Sequence, residues 1–161
     1  MSTLNDPFSL FRLEERFALD EDRLKIVYQT LMRKVHPDQF AGRSAQEQRV
    51  AAQWATRIEE SYETLRNPVK RASLLCEKAG ASIEAETNTS MSMDFLMRQM
   101  QLREALEAAQ GDDAKKAVLD SVKAEHDAVL SDLARAIDED KDWKRAADLT
   151  RRLMFYRRML G

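Results

Sequence analysis

Residues 24–40, "LKIVYQTLMRKVHPDQF", decide how the first half of the chain folds. Leu24, Val27, Tyr28, Leu31 and Val35 recur at helical spacing on one face, while Lys25, Gln29 and Arg33, each four residues apart, line the opposite face. The pattern predicts an amphipathic helix with a core side and a cationic side. Pro37 ends it, because a proline disfavours helical geometry at the preceding residue and has no backbone N–H to donate. His36, Pro37 and Asp38 are thereby left in a loop, two ionisable side chains flanking a rigid ring.

Working outward, Asp20 opens this helix. Upstream, Asp6 suits the cap and Pro7 the first position of a short helix carrying Phe8, Leu10, Phe11 and Leu13. Downstream, Ser44 and Glu47 have the spacing of a capping box, and Val50, Trp54, Ile58, Tyr62 and Leu65 share one side of the helix that follows. Asn67 and Pro68 stop it. A fourth helix, 69 to about 78, contributes Ala72, Leu75 and Cys76 before Gly80 breaks it.

Residues 80–92, "GASIEAETNTSMS", lack helical periodicity and read as a linker. Beyond them three long helical patterns, 93–109, 114–139 and 142–160, are separated only by "QGDD" and "DKD". Such short connections favour antiparallel neighbours and hence a three-helix bundle. The expected fold is all-α, with a first module over 1–79, a linker over 80–92 and a three-helix module over 93–161.

Composition agrees: 4 Gly and 3 Pro in 161 residues leave little turn chemistry for a sheet. A net charge of −2, close to balanced in each half, provides no nucleic-acid footprint. The single Cys76 excludes an internal disulfide and favours a buried thiol. The chain has neither an 18-residue apolar run nor a basic, apolar leader, so a cytoplasmic chain without a membrane anchor is expected.

The segment "DFLMRQMQLREALEAA", 94–109, carries more apolar surface than a bundle needs. Phe95, Leu102, Leu106 and Ala109 share one face. Leu96, Met97 and Met100 gather on another, beside Arg103 and Glu104, with no internal destination. In the last helix Ala146, Ala147, Thr150, Leu153 and Met154 form the inward face with Trp143, while Phe155 projects off it and is expected to join that second stripe. Adaptable methionine-rich surfaces suit partner binding, and packing against the first module stays open as the other reading.

The tripeptide His36-Pro37-Asp38 between two long helices, the cationic face before it, and "IEESYETLRNPVKRASLL" at the third-to-fourth helix junction resemble a J-domain, over residues 5 to about 76. The resemblance implies that His36, Pro37 and Asp38, with Lys25, Tyr28 and Arg33, contact a DnaK-type chaperone and stimulate its ATPase. Gln39 stands where many J-domains have a basic residue, and Gln29 dilutes the stripe, which suggests a specialised chaperone. With "HPDQF", "FLMRQMQLREALE" and "RRLMFYRRML" together, nearly the whole chain is similar to the HscB family of co-chaperones in iron–sulfur cluster assembly, in its bacterial form.

That resemblance implies two partners: the scaffold IscU, bound through Leu96, Met97, Met100, Glu104 and Phe155, and the chaperone HscA. No cofactor, metal, membrane or nucleic acid is implied, and the chain is expected to activate an ATPase without being an enzyme. Gln101 replaces a glutamate frequent in the family. On the residues alone, a J-domain serving another client and a non-catalytic helical adaptor stay open. An enzyme using His36, Asp38 and His126 is a weaker reading, because a metal set normally needs three or more convergent donors and the chain has two histidines. His126, spaced between Val122 and Val129, reads as a core-edge residue.

Overall fold

A computed structural model describes residues 6–83 and 91–161. Among the described residues it contains seven α-helices, one 3-10 helix and no strand. They are α1 (Pro7–Leu10), α2 (Glu21–Val35), the 3-10 helix (Pro37–Phe40), α3 (Ala45–Arg66), α4 (Pro68–Lys78), α5 (Met93–Ala108), α6 (Asp112–Asp138) and α7 (Trp143–Leu160). The expected linker falls partly outside the described residues. None of the described helices is long and apolar enough to cross a membrane.

The helix ends follow the chemistry of their caps. Asp6 Oδ1 accepts the Phe8 N–H at 3.3 Å, and Asp20 Oδ1 accepts the Arg23 N–H at 3.1 Å. Ser44 Oγ accepts the Glu47 N–H at 3.1 Å and donates its own hydroxyl hydrogen to Glu47 Oε1 at 3.3 Å. Asn67 ends α3, and its side-chain oxygen then takes the Val69 and Lys70 N–H groups that open α4. After α4, Gly80 adopts φ +83, so the Ala81 N–H returns to Cys76 O at 2.8 Å and the Gly80 N–H to Glu77 O at 3.0 Å. That is a Schellman stop, which glycine makes without strain.

The described contacts divide the chain into two compact units, Met1–Arg71 and Ala72–Gly161. In the first, α2 and α3 pair, α1 packs on α3, and Phe8, Phe11, Phe17, Leu24, Ile58 and Leu65 are buried. Val50, expected on the inner side of α3, is 45% exposed; Ala51 occupies the inner position. Arg71 stacks on Phe17, 4.5 Å to the ring centroid, and donates to Phe17 O and Leu65 O at 2.8 and 2.6 Å.

In the second unit α6 and α7 form the most extensive helix pair, and α5 packs on α6. The units part at 71/72, eight residues before the 79/80 boundary expected from the sequence, so α4 contributes its first turn to one unit and the rest to the other. Within the second unit the Cys76 thiol of α4 lies with Thr150 and Arg151 of α7.

Burial pushes the Cys76 thiol up to about 11, against the opposing effects of a hydrogen bond with Thr150 and the Arg151 charge. The thiolate is the reactive species, so the native protein at pH 8 is expected to react negligibly with Ellman's reagent over minutes. Unfolding in guanidinium should release one reactive thiol. Rapid labelling of the folded protein would show that the α4 packing is wrong.

Candidate functional site

The first site is built where α2 stops. His36 leaves helical geometry at φ −58, ψ 139, and Pro37 starts the 3-10 helix. The Asp38 N–H donates to His36 Nδ1 at 3.1 Å, and the Gln39 N–H donates to His36 O at 2.9 Å. With Nδ1 accepting, a neutral His36 carries its hydrogen on Nε2. From α3, the Gln48 amide donates to Phe40 O and Arg43 O, both at 3.3 Å. Phe40 is half-buried and lines a small recess with Ala51 and Ala55.

These contacts hold the loop backbone while leaving the Asp38 side chain 91% exposed. Its Oδ2 lies 3.6 Å from His36 Nδ1, an ion pair only when the imidazole is protonated. A carboxylate presented this way accepts charge-assisted bonds from a partner's arginine, and the fixed loop limits the ordering cost of docking. Beside it a cavity of about 520 Å³ is lined by Tyr28, Met32, Arg33, His36, Pro37 and Ala55, among others.

Lys25, Gln29 and Arg33 lie exposed on α2, Arg33 donating its Nε–H to Gln29 O at 3.3 Å. Tyr28 keeps the inner side of α2 that its spacing with Leu24, Val27 and Leu31 predicts. Its ring stacks on Tyr62 at 4.1 Å, and its hydroxyl donates to Glu59 Oε1 at 3.4 Å. Burial and the neighbouring Glu59 push the phenol upward. Tyr28 also lines the cavity beside His36.

The second site lies on α5, which Ser92 caps by accepting the Phe95 N–H at 3.2 Å. Phe95 and Leu102 turn inward. Leu96, Met97 and Met100 turn outward at 41%, 53% and 59% exposure, with Glu104 exposed one turn further on. Met93, 70% exposed, extends the stripe by a turn. Its spacing to Met97 and Met100 would have revealed it in the sequence, but as the first helical residue it carries little periodic signal.

Phe155 requires a correction. Expected to project into this stripe, it is 6% exposed and packs with Phe95, Leu102, Val122 and Tyr156. Its ring meets Phe95 edge-on at 5.7 Å and Tyr156 at 5.4 Å, while Arg103 lies over it at 5.5 Å. Phe155 therefore supports α5 from beneath.

The stripe's orientation is further fixed by an ionic tie that sequence reasoning missed. Arg98 donates from Nε and Nη2 to the two oxygens of Glu125 on α6, at 3.0 and 2.7 Å, and the Tyr156 hydroxyl of α7 donates to Glu125 Oε1 at 3.2 Å. The Arg98 hydrogen bonds hold the Glu125 carboxyl below its ordinary range, against the opposing effect of burial. Burial, with Glu125 nearby, pushes the Tyr156 phenol up to about 12. Three helices meet at one carboxylate, which fixes the rotation of α5 and hence which of its side chains face out.

His126 is buried on α6 with Nδ1 2.9 Å from Asp127 Oδ1, consistent with its reading as a structural residue. Among the described residues no group of three or more His, Cys, Asp or Glu side chains is placed to hold a metal.

An exposed histidine–proline–aspartate turn on a helical hairpin, followed by a helical unit with an exposed apolar stripe, defines a small all-helical protein. Comparison with known proteins makes this specific. Residues 91–160 match the family model described as the HSCB C-terminal oligomerisation domain. The "Co-chaperone protein HscB homolog" of Burkholderia mallei (strain SAVP1) is 44% identical over 163 aligned residues, covering 99% of this chain and 93% of the relative. That of Bordetella avium (strain 197N) is 40% identical over 156 residues, covering 96% and 93%.

Among solved structures, human co-chaperone protein HscB superposes with a TM-score of 0.88 at 29% identity, covering 95% of this chain and 77% of that one. Chaperone HscB from Vibrio cholerae superposes with a TM-score of 0.81 at 32% identity, covering 96% and 93%. The chain belongs to the HscB family of co-chaperones.

Proposed function

We propose that this protein binds the iron–sulfur scaffold IscU through α5, delivers it to the DnaK-type chaperone HscA, and stimulates ATP hydrolysis by HscA through the His36-Pro37-Asp38 turn. The observation that carries the reading is the pairing, in one chain, of an exposed carboxylate on a held loop with an apolar stripe on a separate compact unit. Asp38 is the principal chaperone contact, with His36, Pro37, Lys25 and Arg33 around it. The ATP chemistry belongs to the chaperone. Binding a scaffold and a chaperone at once raises the effective concentration of one for the other.

On the second unit Leu96, Met97, Met100 and Glu104 form the scaffold contact, Met93 extends it, and Phe155 acts by holding α5 in place. Burying each such apolar side chain is worth about 1.5–3 kcal/mol before ordering costs, enough for a modest complex. The combined Leu96→Ala, Met97→Ala and Met100→Ala variant is expected to weaken scaffold binding on the order of 100-fold, at roughly 1 kcal/mol per truncated side chain. Titration calorimetry checks this. An unchanged affinity would remove the stripe from the interface.

The whole reading is tested by single-turnover ATP hydrolysis with purified HscA, adding this protein, IscU, or both. Stimulation by this protein that grows with IscU supports both contacts. Stimulation indifferent to IscU keeps the chaperone contact and assigns the stripe to another client. No stimulation of an active chaperone leaves a helical adaptor.

A further inference from the structure

The side of α5 next to the apolar stripe borders a cavity of about 320 Å³ within the second unit, and three arginines, Arg103, Arg151 and Arg158, are among the residues that line it. The other lining residues described are apolar or amide side chains; none is an Asp or Glu. Nε and Nη1 of Arg151 are buried without a hydrogen-bond partner. Its Nη2 comes no closer than 3.9 Å to Asp148 Oδ1, while the other oxygen of Asp148 is taken by Arg152 Nε at 2.9 Å. Arg103 is held over the Phe155 ring.

Buried donors of a charged group are expected to have acceptors, and two unmet on one guanidinium call for an explanation such as a bound ion. The cavity has room for more than a single water. Among the described lining residues the three arginines are the charged ones, and their positive potential favours an oxyanion over a neutral ligand. Gln99 and Arg103 follow Leu96 and Met100 at helical spacing, so the cavity lies beside the stripe.

We infer that this arginine-walled cavity is an oxyanion site that takes a carboxylate or phosphate group, with Arg151 as its buried anchor and Arg103 and Arg158 at its exposed edge. The site stands whether or not the neighbouring stripe binds a scaffold.

The test follows the Arg151 Nε–Hε signal of the full chain by ¹⁵N NMR, assigned with Arg151→Lys. The protein is titrated with inorganic phosphate and, separately, with glutarate, at constant ionic strength balanced by chloride. A saturable shift of that signal is expected, with a rise in Tm, because a ligand that binds only the folded state stabilises it. The Arg103→Gln, Arg158→Gln variant, altered only at exposed positions, should fold normally and lose about tenfold or more in affinity. A response to glutarate alone assigns the site to carboxylates, one to phosphate alone assigns it to phosphate groups, and both responses together make it a general oxyanion site. A shift that does not saturate, that chloride reproduces, or that the double variant leaves unchanged would overturn the inference.

Discussion

Asp38→Asn is expected to bring HscA hydrolysis down to its unstimulated rate while leaving the melting temperature and scaffold affinity of this protein unchanged. The substitution keeps the shape of the side chain and removes its charge. The bond that organises the loop is donated by the Asp38 main chain to His36 Nδ1, so it survives. The side chain is almost wholly exposed, and surface substitutions of this kind usually change stability by less than about 0.5 kcal/mol. At the interface the balance differs, because truncating one partner of a hydrogen-bonded charge pair costs about 2–5 kcal/mol. That corresponds to roughly 30-fold to several thousand-fold in affinity.

Single-turnover hydrolysis, thermal melting and scaffold titration on the same preparation check the three parts. Normal stimulation would mean that the carboxylate is not the contact. A large drop in melting temperature would instead make Asp38 a structural residue, and lost scaffold binding would contradict the assignment of the two contacts to separate units.

Much of this fold is legible in local chemistry. Asp6, Asp20, Ser44, Asn67 and Gly80 mark helix ends because a cap needs only a few neighbouring atoms, all within one short segment. The outward stripe of α5 is legible for a similar reason: Phe95 and Leu102 already satisfy one inner face, leaving Leu96, Met97 and Met100 with no place inside. The 3-10 helix over 37–40 is too short to leave a period, and what holds it is Gln48, eight residues from Phe40, reaching its carbonyl.

The misplacements share one cause. A helical wheel assigns each helix one partner, whereas α7 meets α6 on one side and the aromatic side chain of Phe95 from α5 on another, which draws in both Phe155 and Tyr156. Cys76 meets Thr150, 74 positions away, a contact that no local pattern encodes.

Phe155→Ala separates support from contact on α5. The ring is buried among Phe95, Leu102, Val122 and Tyr156, so its removal leaves a cavity, and truncation of a core phenylalanine costs about 3–5 kcal/mol. The edge-on contacts with Phe95 and Tyr156 place the effect toward the upper part of that range, since such pairs add about 0.5–1.5 kcal/mol beyond burial. A large fall in the urea midpoint with little change in m is the expected result. Phe155→Leu, which fills much of the same space, should recover most of the loss.

The stripe variant Leu96→Ala, Met97→Ala, Met100→Ala provides the contrast. Its side chains make little internal packing, so its midpoint should stay close to the parent's while scaffold binding falls. If Phe155→Ala loses scaffold binding as well, recovery by Phe155→Leu of binding and stability together identifies a supporting role, because leucine restores volume without restoring an aromatic surface. An unchanged midpoint for Phe155→Ala would put the ring back on the surface, and with it the reading of Phe155 as a direct scaffold contact.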